Sequence, residues 1–384
     1  MSGEMKIEAR RVDTGEAVRV TVAGGFIDSI EPIAAKPALP WIGPGLVDLQ
    51  INGFAGIDFN TAPLSEADVH QSVRLLLKQG VTAFLPTVIT NSEAAITELV
   101  AVIAAACRSD AFTASCVAGI HLEGPFLSPE DGARGAHSKE YIQKPDWEMF
   151  QRWQDAAEGL IRIITISPEW ENAPEFISKC AESGVIVSIG HTAATPEQIR
   201  QAVAAGASMS THLGNGAHIM QHRHRNYIWE QLAADELTAG VIADGFHLPK
   251  PVLKVFLRAK RENIFLVSDA VYLSGLEPGK YHTHIGGEVV LTKEGKLHLV
   301  SNPDLLAGSV QMLVEGVAHL TRSGLATLAE AWSMASARPA AFLGLPEGTG
   351  RLIPGAPADL AVFKQDDSGA IELQQVYKAG KLAI

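Results

Sequence analysis

Cysteine, charge and long apolar runs are all scarce in this chain of 384 residues. It has only three cysteines, Cys107, Cys116 and Cys180, and no Cys-x-x-Cys pair, which argues against a disulfide-stabilised secreted protein. The N-terminus has no signal-peptide pattern, and no apolar run is long enough to span a bilayer. We therefore expect a reduced, cytoplasmic protein without a membrane partner.

Signatures of several other protein classes are also missing. No Gly-x-Gly-x-x-Gly follows an early strand, which weakens a dinucleotide-binding sheet, and no Gly-x-Ser-x-Gly elbow indicates a serine hydrolase. The net charge of −12 argues against nucleic acid or an anionic membrane as the main partner. Hydrophobic residues make up 47% of the chain and charged residues 19%, so a large buried core is expected.

The two chain ends differ in pattern from the middle. Residues 1–45 and 349–384 read as short strands with Gly and Pro turns, and we expect them to form one small β-sandwich domain together. In residues 46–348, helical segments separate eight apolar runs, at 46–51, 81–89, 116–122, 161–166, 185–189, 208–211, 239–243 and 264–267. Eight strand–helix units predict an α/β fold, a (β/α)8 TIM barrel, with an open doubly wound sheet as the alternative.

Polar residues follow most of these runs, where a barrel of this kind carries its catalytic groups. They are Gln50, Asn52, His121, Glu123, His191, His212, Asp244, His247 and Asp269. His191 and His212 are 21 residues apart, about one helix plus one strand, so we expect them at equal heights on neighbouring strands. This periodic placement favours a shared site over a set of unrelated structural residues.

Two imidazoles and a carboxylate can hold a divalent ion while leaving positions open for water and substrate. Glu123, His191 and His212 are the candidate ligands, and Asp269 would then be free to handle protons. A single histidine at a strand end is more often structural than a ligand, and the argument depends on all four residues sharing that placement. His121 is either a ligand or a partner of the ligands.

The first run raises a difficulty, because many metal-dependent barrel hydrolases have His-x-His where Gln50 and Asn52 stand here. The chain therefore lacks two of the histidine ligands that a two-metal site of this kind would have. A formal His-x-His does occur at His282-Thr283-His284, but it lies in a hairpin-like stretch after the eighth run and is interpreted as structural.

Several motifs together resemble one known family. In chain order they are PGLVDLQINGFAGIDFN, GIHLEGPFLSPEDGARGAHSKEYI, SIGHTAAT, STHLGNGAH, VIADGFHL, LVSDA, LLAGS and PGAPADLAVF. This series resembles the N-acetylglucosamine-6-phosphate deacetylases of the amidohydrolase superfamily over nearly the whole chain. Members of that family commonly carry Gln-x-Asn in the first strand and work with one metal.

The resemblance implies a residue-by-residue assignment of the site. Glu123, His191 and His212 would bind one divalent ion, for which Zn²⁺ fits best and Fe²⁺, Co²⁺ or Mn²⁺ are tolerated. Asp269 would be the catalytic acid and base, and His137 would stabilise the developing negative charge. The implied substrate-binding residues are Ala136, His137, Asn215, Gly216, His247, Leu306, Ala307 and Gly308. An arginine, Arg223 by direct count or Arg225, would reach the sugar phosphate of the partner in a homodimer.

The sequence departs from the family around the substrate rather than around the metal. After strand 6 it reads His212-Leu213-Gly214-Asn215-Gly216, where the family usually has an aromatic residue before the Asn. Val271-Tyr272 also follows the SDA motif, where the family often has small residues. The substrate-binding loop is therefore divergent, and the sequence does not decide which amino sugar is bound or whether it must carry a phosphate.

The expected reaction is hydrolysis of N-acetylglucosamine 6-phosphate, or a closely related N-acetyl amino sugar, to the amino sugar and acetate. Three alternatives remain. One is another amidohydrolase acting on a small N-acyl or cyclic amide substrate, and a second is a metal-dependent aldolase. The third is a non-catalytic, metal-poor barrel, against which the retention of Glu123, His191, His212 and Asp269 argues.

Overall fold

The computed structural model describes residues 4–36, 38–283 and 287–383. Its strands are β1 Met5–Arg11, β2 Ala17–Ala23, β3 Phe26–Pro32, β4 Trp41–Pro44, β5 Leu46–Ile51, β6 Gly53–Phe54, β7 Ile57–Asp58, β8 Val81–Ile89, β9 Ile120–Glu123, β10 Ile161–Ile166, β11 Ile186–Ile189, β12 Ala207–Ser210, β13 Thr238–Val241, β14 Ile264–Leu266, β15 Gly279–Thr283, β16 Gly287–Leu291, β17 Leu297–Leu299, β18 Leu360–Gln365, β19 Ile371–Lys378 and β20 Lys381–Leu382. His284 lies outside the described residues.

The helices fall mainly between the barrel strands. They are α1 Glu66–Leu77, α2 Glu93–Ser109, α3 Ala111–Cys116, α4 Trp147–Ala156, α5 Ala173–Glu182, α6 Pro196–Ala204, α7 Tyr227–Ala233, α8 Lys250–Lys260, α9 Leu313–Arg322, α10 Leu328–Met334 and α11 Ala337–Leu343, with a 3-10 turn at Lys139–Tyr141. The caps follow the sequence signals: Ser65 and Thr195 form capping boxes at the starts of α1 and α6. No helix in the described ranges is long and apolar enough to cross a membrane.

Eight parallel strands form the central sheet in the order β5-β8-β9-β10-β11-β12-β13-β14. A bridge between Ile51 and Ala270 joins the first strand to the end of the last and nearly closes the sheet. The predicted (β/α)8 barrel is therefore confirmed. One predicted run, 116–122, was wrong at its start, because Cys116 ends α3 and β9 begins only at Ile120. The Asp110 side chain accepts hydrogen bonds from the Phe112 and Thr113 amides and so starts this extra helix.

The side chains inside the barrel are apolar at one end of its axis and polar at the other. One end holds a buried apolar cluster that includes Val47, Leu85, Met209 and Phe265, and Leu343 of α11 packs against it. Towards the carboxyl ends of the strands the buried residues become polar. Such an interior is a packed core rather than a pore, and it leaves the polar end as the place for chemistry.

Both chain ends contribute to a seven-stranded sheet with the order β20-β19-β18-β4-β1-β2-β3. The expected β domain of the two ends is consistent with this sheet, and the boundaries 1–45 and 349–384 stay a prediction. A buried ion pair, Lys378 Nζ to Asp359 Oδ2 at 2.8 Å, lies within this unit. A third, three-stranded sheet, β15–β17, follows the last barrel strand.

Candidate metal centre and active site

Three buried side chains meet at the carboxyl end of the barrel. Glu123 Oε1 lies 3.2 Å from His191 Nε2 and 3.1 Å from His212 Nε2, and the two Nε2 atoms are 3.1 Å apart. Glu123 is the last residue of β9, and His191 and His212 each come two residues after the end of β11 and β12, which are neighbours in the sheet. The sequence-predicted ligands therefore form one nearly equilateral triangle of donor atoms.

This triangle fits a divalent ion. Ligand atoms about 2.0–2.1 Å from a tetrahedral zinc ion are about 3.3 Å apart, close to the observed edges. His191 Nδ1 lies 3.1 Å from the carbonyl oxygen of Ala133, to which it can only donate, so the lone pair of Nε2 faces the cluster. Among the described residues, these three form the group of His, Cys, Asp and Glu side chains able to hold a metal.

The pKa shifts of Glu123 and His212 also favour a positive charge within the cluster. Burial opposes ionisation of Glu123, but the close contacts of its carboxyl with the His191 and His212 imidazoles hold its pKa well below the usual range. Burial likewise disfavours a charged His212, yet the hydrogen bond to Glu123 raises the pKa of this imidazole. A buried carboxylate that stays ionised requires a positive charge beside it.

Backbone strain concentrates at the same place. His191, His212 and Asp269 are not glycines, yet they have positive φ values of 47°, 27° and 48°. Such conformations cost on the order of 1–3 kcal/mol each and persist only where the surrounding structure enforces them. Three strained residues, each two or three positions after the end of a barrel strand, make this end of the barrel the candidate functional site.

Asp269 is held by the first barrel strand. Its Oδ1 accepts a hydrogen bond of 2.7 Å from Asn52 Nδ2, and its backbone amide donates to the carbonyl of Gln50. Burial raises the pKa of Asp269 to about 6, while the positive charge of His212 and the Asn52 hydrogen bond oppose that rise. A carboxyl with a pKa near neutrality is suited to taking up and releasing a proton.

His137 lies against the metal-ligand cluster. Its ring packs edge-on against His191, with centroids 4.3 Å apart, and its Nδ1 is buried with no hydrogen-bond partner among the described residues. Burial lowers the pKa of this imidazole to about 3, so the ring is neutral and carries one N–H donor. An imidazole of this kind can hydrogen-bond an oxygen on which negative charge develops.

Several of the predicted substrate-binding residues are near this cluster. A Cβ on Gly216, which has a φ of +57°, would lie only 2.5 Å from His191 Nδ1, so the loop approaches the ring as closely as glycine allows. The neighbouring Asn215 is tied to the carbonyl of His212 by its backbone and side chain. His247 Nδ1 lies 2.7 Å from Asp244 Oδ2, and this imidazole acts electrostatically on Asp269.

The segment at 306–308 is attached beside the end of the last barrel strand. The Val271 amide donates to the carbonyl of Ser309, and Gly308, with a φ of +109°, leaves room for the Val271 side chain. This places Leu306, Ala307 and Gly308 alongside the loop that follows Asp269. Ala136 is exposed next to His137.

Arg223 and Arg225 lie elsewhere, on the exposed stretch 219–225. The Arg223 carbonyl accepts a hydrogen bond from the Trp229 indole, which fixes the backbone but leaves the guanidinium at the surface. His282, the described histidine of the formal His-x-His, pairs with Glu288 at the surface and belongs to no metal-binding cluster of the described residues.

His121 is not one of the clustered ligands. Its Nδ1 lies 3.1 Å from the carbonyl of Leu49 and its Nε2 lies 2.7 Å from the Thr165 hydroxyl, so both ring nitrogens have partners inside the barrel. Burial lowers the pKa of the His121 imidazole to about 4. Of the two roles that the sequence left open for His121, this position fits a partner of the candidate ligands rather than a ligand.

Sequence reasoning missed Asp48. Its Oδ1 accepts hydrogen bonds from the backbone amides of Gln50 and Ser268, so it links the first and last barrel strands just before Asp269. Burial raises the pKa of the Asp48 carboxyl to about 7. The signal in the sequence was a carboxylate in the middle of a run whose other residues, apart from Gln50, are apolar.

Comparison with known proteins agrees with this geometry. The sequence profile described as the amidohydrolase family matches residues 41–383. An N-acetylglucosamine-6-phosphate deacetylase from Bacillus subtilis is 34% identical over 328 residues, which cover 84% of this chain and 80% of that protein. An N-acetylgalactosamine-6-phosphate deacetylase from Escherichia coli O157:H7 is 30% identical over 98% of both chains. A crystal structure of N-acetylglucosamine-6-phosphate deacetylase from Pasteurella multocida superposes with a TM-score of 0.87 at 25% identity, over 99% of both chains.

The fold and the buried Glu-His-His cluster define a barrel hydrolase, and the chain belongs to the amidohydrolase family. Within it, the chain is a member of the group of N-acetylglucosamine-6-phosphate deacetylases, as the resemblance in the sequence predicted.

Proposed function

We propose that this chain hydrolyses the acetamide of N-acetylglucosamine 6-phosphate and releases glucosamine 6-phosphate and acetate. The reaction class is hydrolysis of a carbon–nitrogen bond in a linear amide. The proposal depends on one observation, the triangle formed by Glu123, His191 and His212. Asp269 is close enough to this triangle to interact with its charges but is not part of it. The relatives named above are the reason for choosing this sugar phosphate.

The metal is one divalent ion, and zinc suits two imidazoles and one carboxylate best. Glu123, His191 and His212 would hold it. When bound, such an ion lowers the pKa of a water molecule and polarises a carbonyl group. Gln50 and Asn52 stand in place of a second pair of histidines, so a single ion is proposed.

The chain's own residues then divide the remaining chemistry. Asp269 accepts a proton from the attacking water and returns it to the amine as the carbon–nitrogen bond breaks. Asn52 holds one oxygen of Asp269 and leaves the other for this transfer. His137 donates a hydrogen bond to the oxygen that becomes negative. Asn215, Gly216, His247 and residues 306–308, with Ala136, surround the sugar.

A basic stretch supports binding of the phosphate. His222, Arg223, His224 and Arg225 are exposed and follow one another in a chain whose net charge is −12. The neighbouring side chains of Ile219 and Met220 are 89% and 87% exposed. Large apolar side chains at this exposure are typical of an interaction surface. We propose that a second copy of this chain covers them and receives Arg223 in its site, with Arg225 as the alternative.

The three cysteines are free thiols, which suits the reducing environment of the cytoplasm, where we place the enzyme.

The experiment that tests the function is an acetate-release assay on the zinc-loaded protein. The substrates are N-acetylglucosamine and N-acetylgalactosamine, each with and without a 6-phosphate. We expect the highest kcat/KM with N-acetylglucosamine 6-phosphate. A higher value with the galactosamine phosphate would favour the second candidate, which the end-to-end match to the E. coli relative supports. No acetate from any of the four would refute the proposal.

Mixed dimers test the shared site. Asp269→Asn and Arg223→Ala chains are each expected to have little activity alone. After unfolding and refolding together, half of the dimers would contain one site with both native residues, so about a quarter of the wild-type activity returns. No recovery, with dimers present by light scattering, would refute a cross-subunit Arg223, and the same test with Arg225→Ala checks the alternative.

A further inference from the structure

A chain of hydrogen bonds crosses the barrel directly beneath the proposed metal site. Ser188 Oγ lies 2.5 Å from Thr211 Oγ1, which lies 2.7 Å from Thr165 Oγ1, which lies 2.7 Å from His121 Nε2. His121 Nδ1 completes the chain, 3.1 Å from the carbonyl oxygen of Leu49. The five residues come from five different barrel strands or strand ends, and all five are fully or almost fully buried.

The direction of every bond in this chain follows from its last member. A carbonyl oxygen can only accept, so His121 Nδ1 carries the proton and donates to Leu49. Nε2 of the neutral ring then accepts from the Thr165 hydroxyl. Thr165 in turn accepts from Thr211, and Thr211 accepts from Ser188. For a neutral ring, this assigns each hydroxyl proton, and it is the arrangement that satisfies all four contacts.

This hydrogen-bonded chain is adjacent to each of the three proposed ligands. Thr165 is the cross-strand partner of Glu123 in the parallel pairing of β9 and β10. Thr211 directly precedes His212. A Cβ on Gly190, which precedes His191, would lie 2.8 Å from both Thr165 Cγ2 and Thr211 Cβ, so the two threonines enclose that residue.

The ligands need such support because two of them are strained. His191 and His212 have positive φ values, which persist only when neighbouring contacts leave no alternative. Thr165 and Thr211 pack on the residues that enter these strained positions, and their hydroxyl bond fixes the separation between them. The neutral His121 ring anchors the far end of the chain to the first strand.

We propose that His121 is a positioning residue, which acts through Thr165 and Thr211 to hold Glu123, His191 and His212 in metal-binding geometry. The inference rests on the proposed function in one respect, namely that these three residues bind the ion. Outer partners of metal ligands typically change metal affinity by about 10- to 100-fold when they are removed.

The main test is Thr211→Val, which keeps the shape of the side chain and removes the hydroxyl in the middle of the hydrogen-bonded chain. Its control is Thr82→Val, the same change at a buried threonine near the start of β8, where the hydroxyl lies 3.4 Å from the carbonyl of Leu46. Zinc affinity is measured by competition with a chromogenic chelator, and thermal stability is measured on the metal-free proteins.

We expect Thr211→Val to lower zinc affinity about 10- to 100-fold and Thr82→Val to leave it within twofold of wild type. Ser188→Ala, which removes only the first donor, should have a smaller effect than Thr211→Val. Wild-type affinity in Thr211→Val, or an equal loss in Thr82→Val, would overturn the proposal. His121→Phe should also weaken zinc binding, and the threonine variants decide the question if that protein does not fold.

A second measurement does not depend on the metal. In ¹⁵N-labelled, metal-free wild-type protein, the NMR signals of the His121 ring should show a proton on Nδ1 and a bare Nε2. A proton on Nε2 would overturn the assigned bond directions. If the wild-type protein binds no zinc and releases no acetate, the proposed function fails, but this measurement still decides the direction of the hydrogen-bonded chain.

Discussion

Gly216→Ala is a one-carbon change that tests the metal site through its tightest contact. The added Cβ would lie 2.5 Å from His191 Nδ1 and 2.6 Å from its Cε1, whereas non-bonded carbon contacts settle at about 3.5–4.0 Å. The ring or the loop must therefore move by about 1 Å. The ring is held by the Ala133 carbonyl, so its displacement breaks that hydrogen bond or moves Nε2 out of the triangle.

A misplacement of about 1 Å can reduce turnover by about 100-fold, and we expect a loss of that size in kcat/KM together with weaker zinc binding. The positive φ adds a backbone cost of about 1–2 kcal/mol for alanine, which needs its own control. Gly24→Ala supplies it, since Gly24 has a φ of +59° and no other atom within 4 Å of the added carbon. Both variants share the backbone cost, and only Gly216→Ala adds the contact with His191, so only Gly216→Ala should lose activity and metal. If Gly216→Ala kept activity within twofold of Gly24→Ala, the close approach of this loop to His191 would be wrong.

Three further predictions concern charges. Asp269→Asn should lower kcat by about 10²–10⁴-fold with unchanged zinc content by elemental analysis, and retention of most activity would exclude its proton role. Asn52→Leu should lower kcat about 10- to 100-fold, since hydrogen bonds to charged groups contribute about 1.5–3 kcal/mol. Because the Asn52 bond lowers the pKa of Asp269, its loss raises that pKa and moves the acid limb of the pH–rate profile to higher pH; an unmoved limb would contradict this. Lys378→Met should destabilise the protein by about 3–5 kcal/mol in urea unfolding because it leaves Asp359 buried without its partner, and adding Asp359→Leu should recover part of the loss.

The fold was predictable from sequence because its signals are local. The periodic apolar runs gave the bounds of β5, β8 and β10 as the structure has them, and Ser65 and Thr195 marked helix starts by their own capping chemistry. The strand at 116–122 failed for a local reason too. The six residues after Asp110, Ala-Phe-Thr-Ala-Ser-Cys, suit a short capped helix as well as a strand, and the hydrogen bonds of the Asp110 cap decide between them.

The clustering of Glu123, His191 and His212 was predictable from the sequence, whereas the contacts that support these side chains were not. The position of His191 and His212 after successive strands implies that their side chains meet, because parallel strands end at one face of a barrel. No comparable rule connects Asp48 with the Ser268 amide, or His121 with Thr165, since these contacts depend on the rotation of each strand about its own axis. The positive φ values of His191, His212 and Asp269 likewise follow from packing that a single sequence does not encode locally.

In the structure, Asn52 of the first-strand Gln-x-Asn does more than occupy the position of an absent histidine ligand. An asparagine amide nitrogen can only donate, so Asn52 stabilises the ionised form of Asp269 and occupies Oδ1. A histidine at this position with a metal ion on its lone pair would instead bring a second positive charge beside Asp269. That charge would lower its pKa further and make the carboxylate a weaker base. In the proposed mechanism, neutral amides in place of a ligand pair avoid that second charge, which suits a carboxyl that takes a proton from water and returns it to an amine.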